Sequence, residues 1–191
     1  MKDNLKITQS TKVTLVPLEA NDREQFILDN QWAFKHGAMI EFGERDDHIG
    51  DDGEIISRKT IERCIDASDS ETYRIVADGR RVGGVILKIN KETNHNGLEI
   101  LFVSPEEHSK GIGCSAWQAV EALHPETKIW ETFTPYFEKR NIHFYVNKCG
   151  FKIDRFLCEY FQPSDQAFDD EDRDPDDGPD EMFRFIKEMK I

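Results

Sequence analysis

Residues 98–113, LEILFVSPEEHSKGIG, constrain the fold of this chain more than any other stretch. An apolar run ends in a short polar loop. Gly111-Ile112-Gly113 then opens a segment in which Ile112, Ala116, Val120 and Leu123 recur at helical spacing until Pro125. A strand that feeds a helix through a glycine turn calls for a sheet covered by helices. Glycines there let the backbone approach a ligand, and the free N–H groups of a helix start, with the positive end of its dipole, attract an anion such as a diphosphate. The pattern GxxxxGK[ST] is absent, and G-x-G-x-x-G fails at Ala116, which argues against a Walker loop and a dinucleotide fingerprint. Taken alone, the turn reads equally well as a ligand-free strand-to-helix connection.

The flanking segments predict the rest of an α/β order. VTLVPL (13–18) alternates as a first strand. Asn21 with Glu24 forms a capping box for a helix carrying Phe26, Trp32 and Phe34. Residues 35–56, rich in Gly and Asp, read as a long loop, and Ser57 caps a second helix that runs to about Ala67 with Ile61, Cys64 and Ile65 on one face. Strands over 72–79, 81–90 and 98–105, joined by Asp78-Gly79 and by 91–97, read as a meander. A strand over 128–134 precedes a helix from about Glu138 to Cys149, with Ile142, Tyr145, Val146 and Cys149 on its apolar face and Gly150 as its stop. Strands over 151–161 and 182–190 close the chain. The expectation is one domain over residues 1–191, with no internal repeat.

Composition narrows the function classes. The net charge of −13 disfavours sequence-independent binding to nucleic acid or to an anionic membrane, because both need clustered Lys and Arg. Residues 165–181 alone hold ten carboxylates and one Arg and read as a flexible acidic insert between the last two strands. Within it Asp172, Asp174 and Asp176 imitate a calcium loop, but Asp177 replaces the required Gly and Phe183 the closing Glu. Cys64, Cys114, Cys149 and Cys158 form no C-x-x-C pair, and the six His show no ligand spacing, so no metal is expected. MKDNLKITQS lacks an apolar leader core and no apolar run approaches about 18 residues, which predicts a cytoplasmic protein.

Two blocks resemble the GCN5-related N-acetyltransferase (GNAT) family. His108-Ser109-Lys110-Gly111-Ile112-Gly113 follows its [Q/R]-x-x-G-x-[G/A] motif, with His in the first place. Asn141-Ile142-His143-Phe144-Tyr145 followed by Gly150-Phe151 resembles its N-x(n)-Y-x-x-x-G-F element, with one extra residue between Tyr and Gly. The resemblance implies a mixed, mostly antiparallel twisted sheet of about seven strands flanked by about four helices. It also implies an enzyme that moves the acetyl group of acetyl-CoA directly to a primary amine, with no metal and no covalent intermediate.

The same resemblance implies roles for particular residues. The backbone of 108–113, continuing into Cys114, would hold the pyrophosphate. Glu99 would be the general base, or simply a solvent-facing strand residue. Backbone N–H groups near Phe102 and Val103 would polarise the thioester and pair with pantetheine. Tyr145 would protonate the leaving thiolate or merely pack in the core. Asn141 would bond pantetheine or cap its helix, and Phe144 would line the channel or pack. Glu131, Thr134 and Tyr136 would face the acceptor or form cross-strand pairs. Apart from the resemblance, Trp32, Phe34 and the carboxylates Glu41, Glu44, Asp46, Asp47, Asp51, Asp52 and Glu54 of the acidic loop could collect a cationic amine, although such a charge run more often only solvates a loop. The acidity favours a cationic small-molecule acceptor. A protein or peptide acceptor, a non-catalytic acyl-CoA-binding module and an acidic interaction module are the alternatives, and a homodimer fits any of them.

Overall fold

Alternating short strands and helices build the molecule: β1 (Val13–Pro17), α1 (Arg23–Phe42), α2 (Arg58–Asp66), β2 (Ser70–Ala77), β3 (Arg80–Lys88), β4 (His95–Val103), α3 (Ile112–Leu123), β5 (Ile129–Pro135), α4 (Lys139–His143), β6 (Lys152–Leu157) and β7 (Met182–Glu188). The structure is a computed structural model that describes residues 12–42, 53–158, 160–161 and 181–190. The acidic run up to residue 180, together with Glu44, Asp46, Asp47, His48, Asp51, Asp52 and the side chain of Glu41, lies outside the described residues. The strands form the expected mixed sheet, ordered β1-β2-β3-β4-β5-β7-β6, with β4 and β5 parallel. By their contacts the residues sort into two compact units, 12–86 with Ile100–Leu123, and Leu87–Glu99 with 124–190.

In the first unit, Asp78 (φ 50°) and Gly79 (φ 77°) turn β2 into β3 with both central residues in the left-handed region, the geometry that a two-residue hairpin needs. Ser57 caps α2 as expected, its Oγ accepting the Thr60 N–H at 3.1 Å. The capping box at Asn21 is not formed. A 3-10 turn over Ala20–Asp22 runs straight into α1, so Asn21 lies inside the helical path. Asp22 instead takes the buried Arg74 guanidinium at 2.8 and 3.0 Å, and Asp29, about two helical turns on, takes it at 2.7 Å.

The loop expected from residue 35 is also corrected, because α1 continues to Phe42. Ala38 is buried on the face that carries Phe26, Ile27 and Ala33, while Leu28, Trp32 and Met39 lie exposed on the other and Ile40 is exposed near the helix end. A helix apolar on both faces has no amphipathic period to read. Phe26 stacks edge-on against Phe102 of β4 at 5.2 Å. The strand beneath explains Gly83-Gly84: a Cβ at Gly84 would lie 2.3 Å from the Phe26 ring, and one at Gly83 would lie 2.2 Å from the Phe102 carbonyl oxygen. Ile112 and Ala116 of α3 pack with Ile75, Ala77 and Val82 in a second cluster. Leu123, expected on that apolar face, is exposed, and Trp117 is buried instead.

In the second unit β4 starts at His95, earlier than expected. Buried Asn96 holds the preceding turn by accepting the Asn90 N–H and donating to Thr127 Oγ1 at 2.8 Å. β7 inserts between β5 and β6, and Asp154 is an extra residue in the β6 register. The strand expected to reach Phe161 ends at Leu157, because the Cys158 and Phe161 backbones bond each other and turn the chain back. The helix expected from Glu138 to Cys149 is only five residues of α-helix and then a π-helical turn, Phe144–Lys148.

Candidate active site

The first unit contains the glycine turn. After Val103 the chain makes a 3-10 turn over Pro105–Glu107, and the His108 ring comes back so that Nε2 lies 2.9 Å from the Val103 carbonyl. The ring also faces His36 of α1 at 6.3 Å. His108 therefore ties the loop to the strand that precedes it. Ser109 (φ 65°) and Gly111 (φ 77°) adopt left-handed backbone, and a Cβ at Gly111 would meet nothing within 4 Å. The Ser115 N–H bonds the Gly111 carbonyl, so the amides of Ile112, Gly113 and Cys114 fall in the helix's first turn, where no carbonyl precedes them. The side chain of Ile112 is buried, which pins this helix start to the sheet.

Around the turn the charges are cationic ends on one carboxylate. Glu107 is almost buried and takes Lys110 Nζ and Arg80 Nη1, each at 2.9 Å. The Lys110 ammonium, helped by Arg80, holds the Glu107 carboxyl below its ordinary range, so it stays ionised. An anion that meets this surface faces backbone N–H groups, with Lys110 and Arg80 beside them. Phe102 is buried against Phe26.

The second unit carries the hydroxyl chemistry. Tyr145 is buried among Phe144, Phe151 and Phe185, with ring centroids 5.3 to 5.6 Å away. Its hydroxyl shares hydrogen bonds with Thr132 and Thr134, and burial, partly opposed by those bonds, pushes its pKa up to about 12. Thr132 donates its hydroxyl proton to the Leu98 carbonyl at 2.8 Å. Here the parallel ladder of β4 and β5 changes character. Backbone pairing runs over His95–Gly97 and Ile129–Glu131, and at the next step a side chain serves the Leu98 carbonyl. Glu99 follows, exposed, with its carboxylate over Gly97, where a Cβ would come within 2.8 Å of Oε1.

The extra residue between Tyr145 and Gly150 has a structural account. The Cys149 N–H reaches the Phe144 carbonyl five residues back at 3.0 Å, and the Phe151 N–H returns to the Tyr145 carbonyl at 3.0 Å. The π-turn absorbs one residue without moving the Gly150-Phe151 stop, and such turns recur at functional sites. Lys187 closes the turn by donating to the Cys149 carbonyl at 2.6 Å.

Other expectations separate. Asn141 is not the helix cap. Glu138 holds that place, and Asn141 donates weakly to its carboxylate at 3.4 Å. Glu131 is a cross-strand partner, with Arg184 at 2.8 and 3.0 Å and His95 at 3.5 Å. Thr134 turns inward to Tyr145, whereas Tyr136 is exposed. Phe34 packs against the first core, Trp32 is exposed beside His36, and Glu54 pairs with Lys35 at 3.6 Å. Cys114 is half-buried, and all four cysteines are free. Sequence reasoning missed Thr132, although the alternation of Trp130, Thr132 and Thr134 marks one buried face of β5. Among the described residues, no three His, Cys, Asp or Glu gather as metal ligands, and no helix is long and apolar enough to cross a membrane.

Comparison with known proteins agrees with this fold. The chain is 43% identical to the uncharacterized protein YrkN of Bacillus subtilis (strain 168), over 97% of this chain and 98% of that one. Among solved structures, it is similar to the ribosomal-protein-S18-alanine N-acetyltransferase from Escherichia coli (TM-score 0.64, 13% identity, 94% and 96% of the two chains). A second similar structure is the spermidine N-acetyltransferase from Vibrio cholerae in complex with CoA and spermine (TM-score 0.61, 16% identity, 92% and 95%). Residues 27–151, which span the glycine turn, Glu99 and Tyr145, match the family described as Acetyltransferase (GNAT) family. The chain belongs to the GNAT family of acetyltransferases.

Proposed function

We propose that this protein transfers the acetyl group of acetyl-CoA directly to a primary amine of a cationic small molecule. The observation that carries the reading is the conformation of residues 108–114, with left-handed backbone at Ser109 and Gly111, open space at Gly111 and the first turn of α3 directly after it, which suits a pyrophosphate. In this reading 108–114 bind the cofactor, the Phe102 and Val103 backbone engages pantetheine and the thioester carbonyl, and Asn141 and Phe144 border the pantetheine arm. The reading treats the 191 residues as a single acyltransferase domain. We place it in the cytoplasm, on the strength of its four free cysteines.

The amine nitrogen attacks the thioester carbon, the carbonyl oxygen becomes an oxyanion, and the C–S bond then breaks to release a thiolate. The amine must first lose a proton. Glu99, exposed on β4, accepts it directly or through water, and the nitrogen gives up its second proton to solvent as the tetrahedral adduct collapses to the amide. Tyr145 donates a hydrogen bond to the departing sulfur as charge develops there, and the thiolate then takes its proton from solvent. The net charge of −13 supports a cationic acceptor, as does likeness to an enzyme whose structure contains spermine.

The test follows CoA thiol release with linear polyamines and with free peptide N-termini. Polyamine-dependent release is expected, and release with the peptide alone would make the acceptor a protein. Glu99→Gln should lower turnover about tenfold to a hundredfold near pH 6.5, and much less near pH 9, where the free amine is plentiful. Equal activity across that range would remove Glu99 from the reaction.

A further inference from the structure

Four aromatic rings meet at the carboxyl end of β5 and the adjoining ends of β6 and β7. Tyr136 and Phe156 are 47% and 41% exposed, with centroids 6.1 Å apart at 74°. Phe137 stands edge-on to Tyr136 at 5.6 Å, and Phe183 lies 5.3 Å from Phe156. Single exposed aromatics need no explanation, but a contiguous cluster at one strand end marks a contact surface. The register aligns it: Thr134 pairs with Phe183, and Phe183 with Phe156. From Phe183 the rings continue inward to Phe185 at 6.2 Å and from there to Tyr145 at 5.6 Å. The row thus begins at the surface and ends at the phenol.

We propose that Tyr136 and Phe156, backed by Phe137 and Phe183, form the subsite that holds a second positive charge of the acceptor, a linear amine with two or more cationic nitrogens. This rests on the acetyltransferase reading above. Ring faces attract ammonium groups through their quadrupole, and methylene spacers pack on the same rings. The same edge already holds one cation in this way, with the Arg155 guanidinium 5.9 Å over the Phe161 ring. The backbone ties the cluster to the start of β7, the Tyr136 N–H donating to the Glu181 carbonyl at 3.1 Å.

The test needs no turnover. Choline and 3,3-dimethylbutan-1-ol share a shape and differ in charge, so calorimetric titration of the full chain with each isolates the cation–ring contribution. Choline is expected to bind about fivefold tighter or better. Tyr136→Ala and Phe156→Ala should abolish that preference, while Tyr136→Phe and Phe156→Tyr keep it. Both alanine variants should raise KM for a polyamine with the acetyl-CoA melting shift unchanged. Equal binding of the two compounds, or a preference that survives both alanine variants, overturns the subsite. Because choline binding involves no thioester, loss of the acetyltransferase reading and loss of the subsite are separable results.

Discussion

Tyr145→Phe is expected to lower kcat by about a hundredfold while the melting shift with acetyl-CoA stays intact. The ring is fixed by Phe144, Phe151 and Phe185, so the phenylalanine side chain keeps the packing and loses only the hydroxyl. With its pKa near 12 the phenol holds its proton throughout the working range. That also limits it as an acid. A thiol near pKa 8.5 is about 3.5 units more acidic, so full transfer to the thiolate is uphill by roughly 5 kcal/mol. The contribution is therefore a hydrogen bond to sulfur as charge develops, which places the effect at the low end of the 10²–10⁴ range for such groups. Steady-state kinetics with both substrates varied measures it, and a variant with unaltered kcat would assign Tyr145 to packing alone.

The same burial gives a signature in stability. The folded pKa lies above the value near 10 of an exposed tyrosine, so this stabilisation is complete below about pH 10 and is lost as pH rises through about 12. Tyr145→Phe should lack that alkaline loss in urea titrations.

Asp22→Ala should be the most damaging substitution for the fold, costing about 3–5 kcal/mol and lowering Tm by about 10 °C or more. Arg74 is only 2% exposed, and Asp22 supplies two of its hydrogen bonds. Removing the carboxylate leaves a guanidinium out of water with Asp29 as its remaining charge partner. Arg81 reaches the same carboxylate at 2.9 Å but is 57% exposed, so Arg81→Ala should cost under about 1 kcal/mol. The contrast between the two variants in urea unfolding checks the argument, and equal small losses would refute it. Hydrogen bonding from Arg74 holds the Asp22 carboxyl below its ordinary range. The stabilisation is therefore present above about pH 4 and fades as pH falls through that depressed value.

The features legible in the sequence are those set by local chemistry. Asp78-Gly79, the Ser57 cap and the Gly111 turn each depend on backbone preferences within a few residues, and all three form. Features that depend on distant partners were not legible. Glu131 meets an Arg184 that lies 53 residues away, and Thr132 matters only because the Leu98 carbonyl stands opposite it. The helical end of α1 is hidden because Leu28, Trp32 and Met39 erase its polar face. The π-turn shows in the sequence only as one residue too many before Gly150, a spacing that points to an irregularity without naming its form.

The central claim is that residues 108–114 hold the diphosphate of acetyl-CoA. Thermal unfolding with acetyl-CoA, and separately with ATP, tests it most directly. At about 100 times Kd the ligand should add roughly 2.7 kcal/mol, a rise of about 5–10 °C for a chain of this size, and ATP should add far less. Unchanged melting with acetyl-CoA, or an equal rise with ATP, would contradict the account and leave the Gly111 turn as a connection between strand and helix.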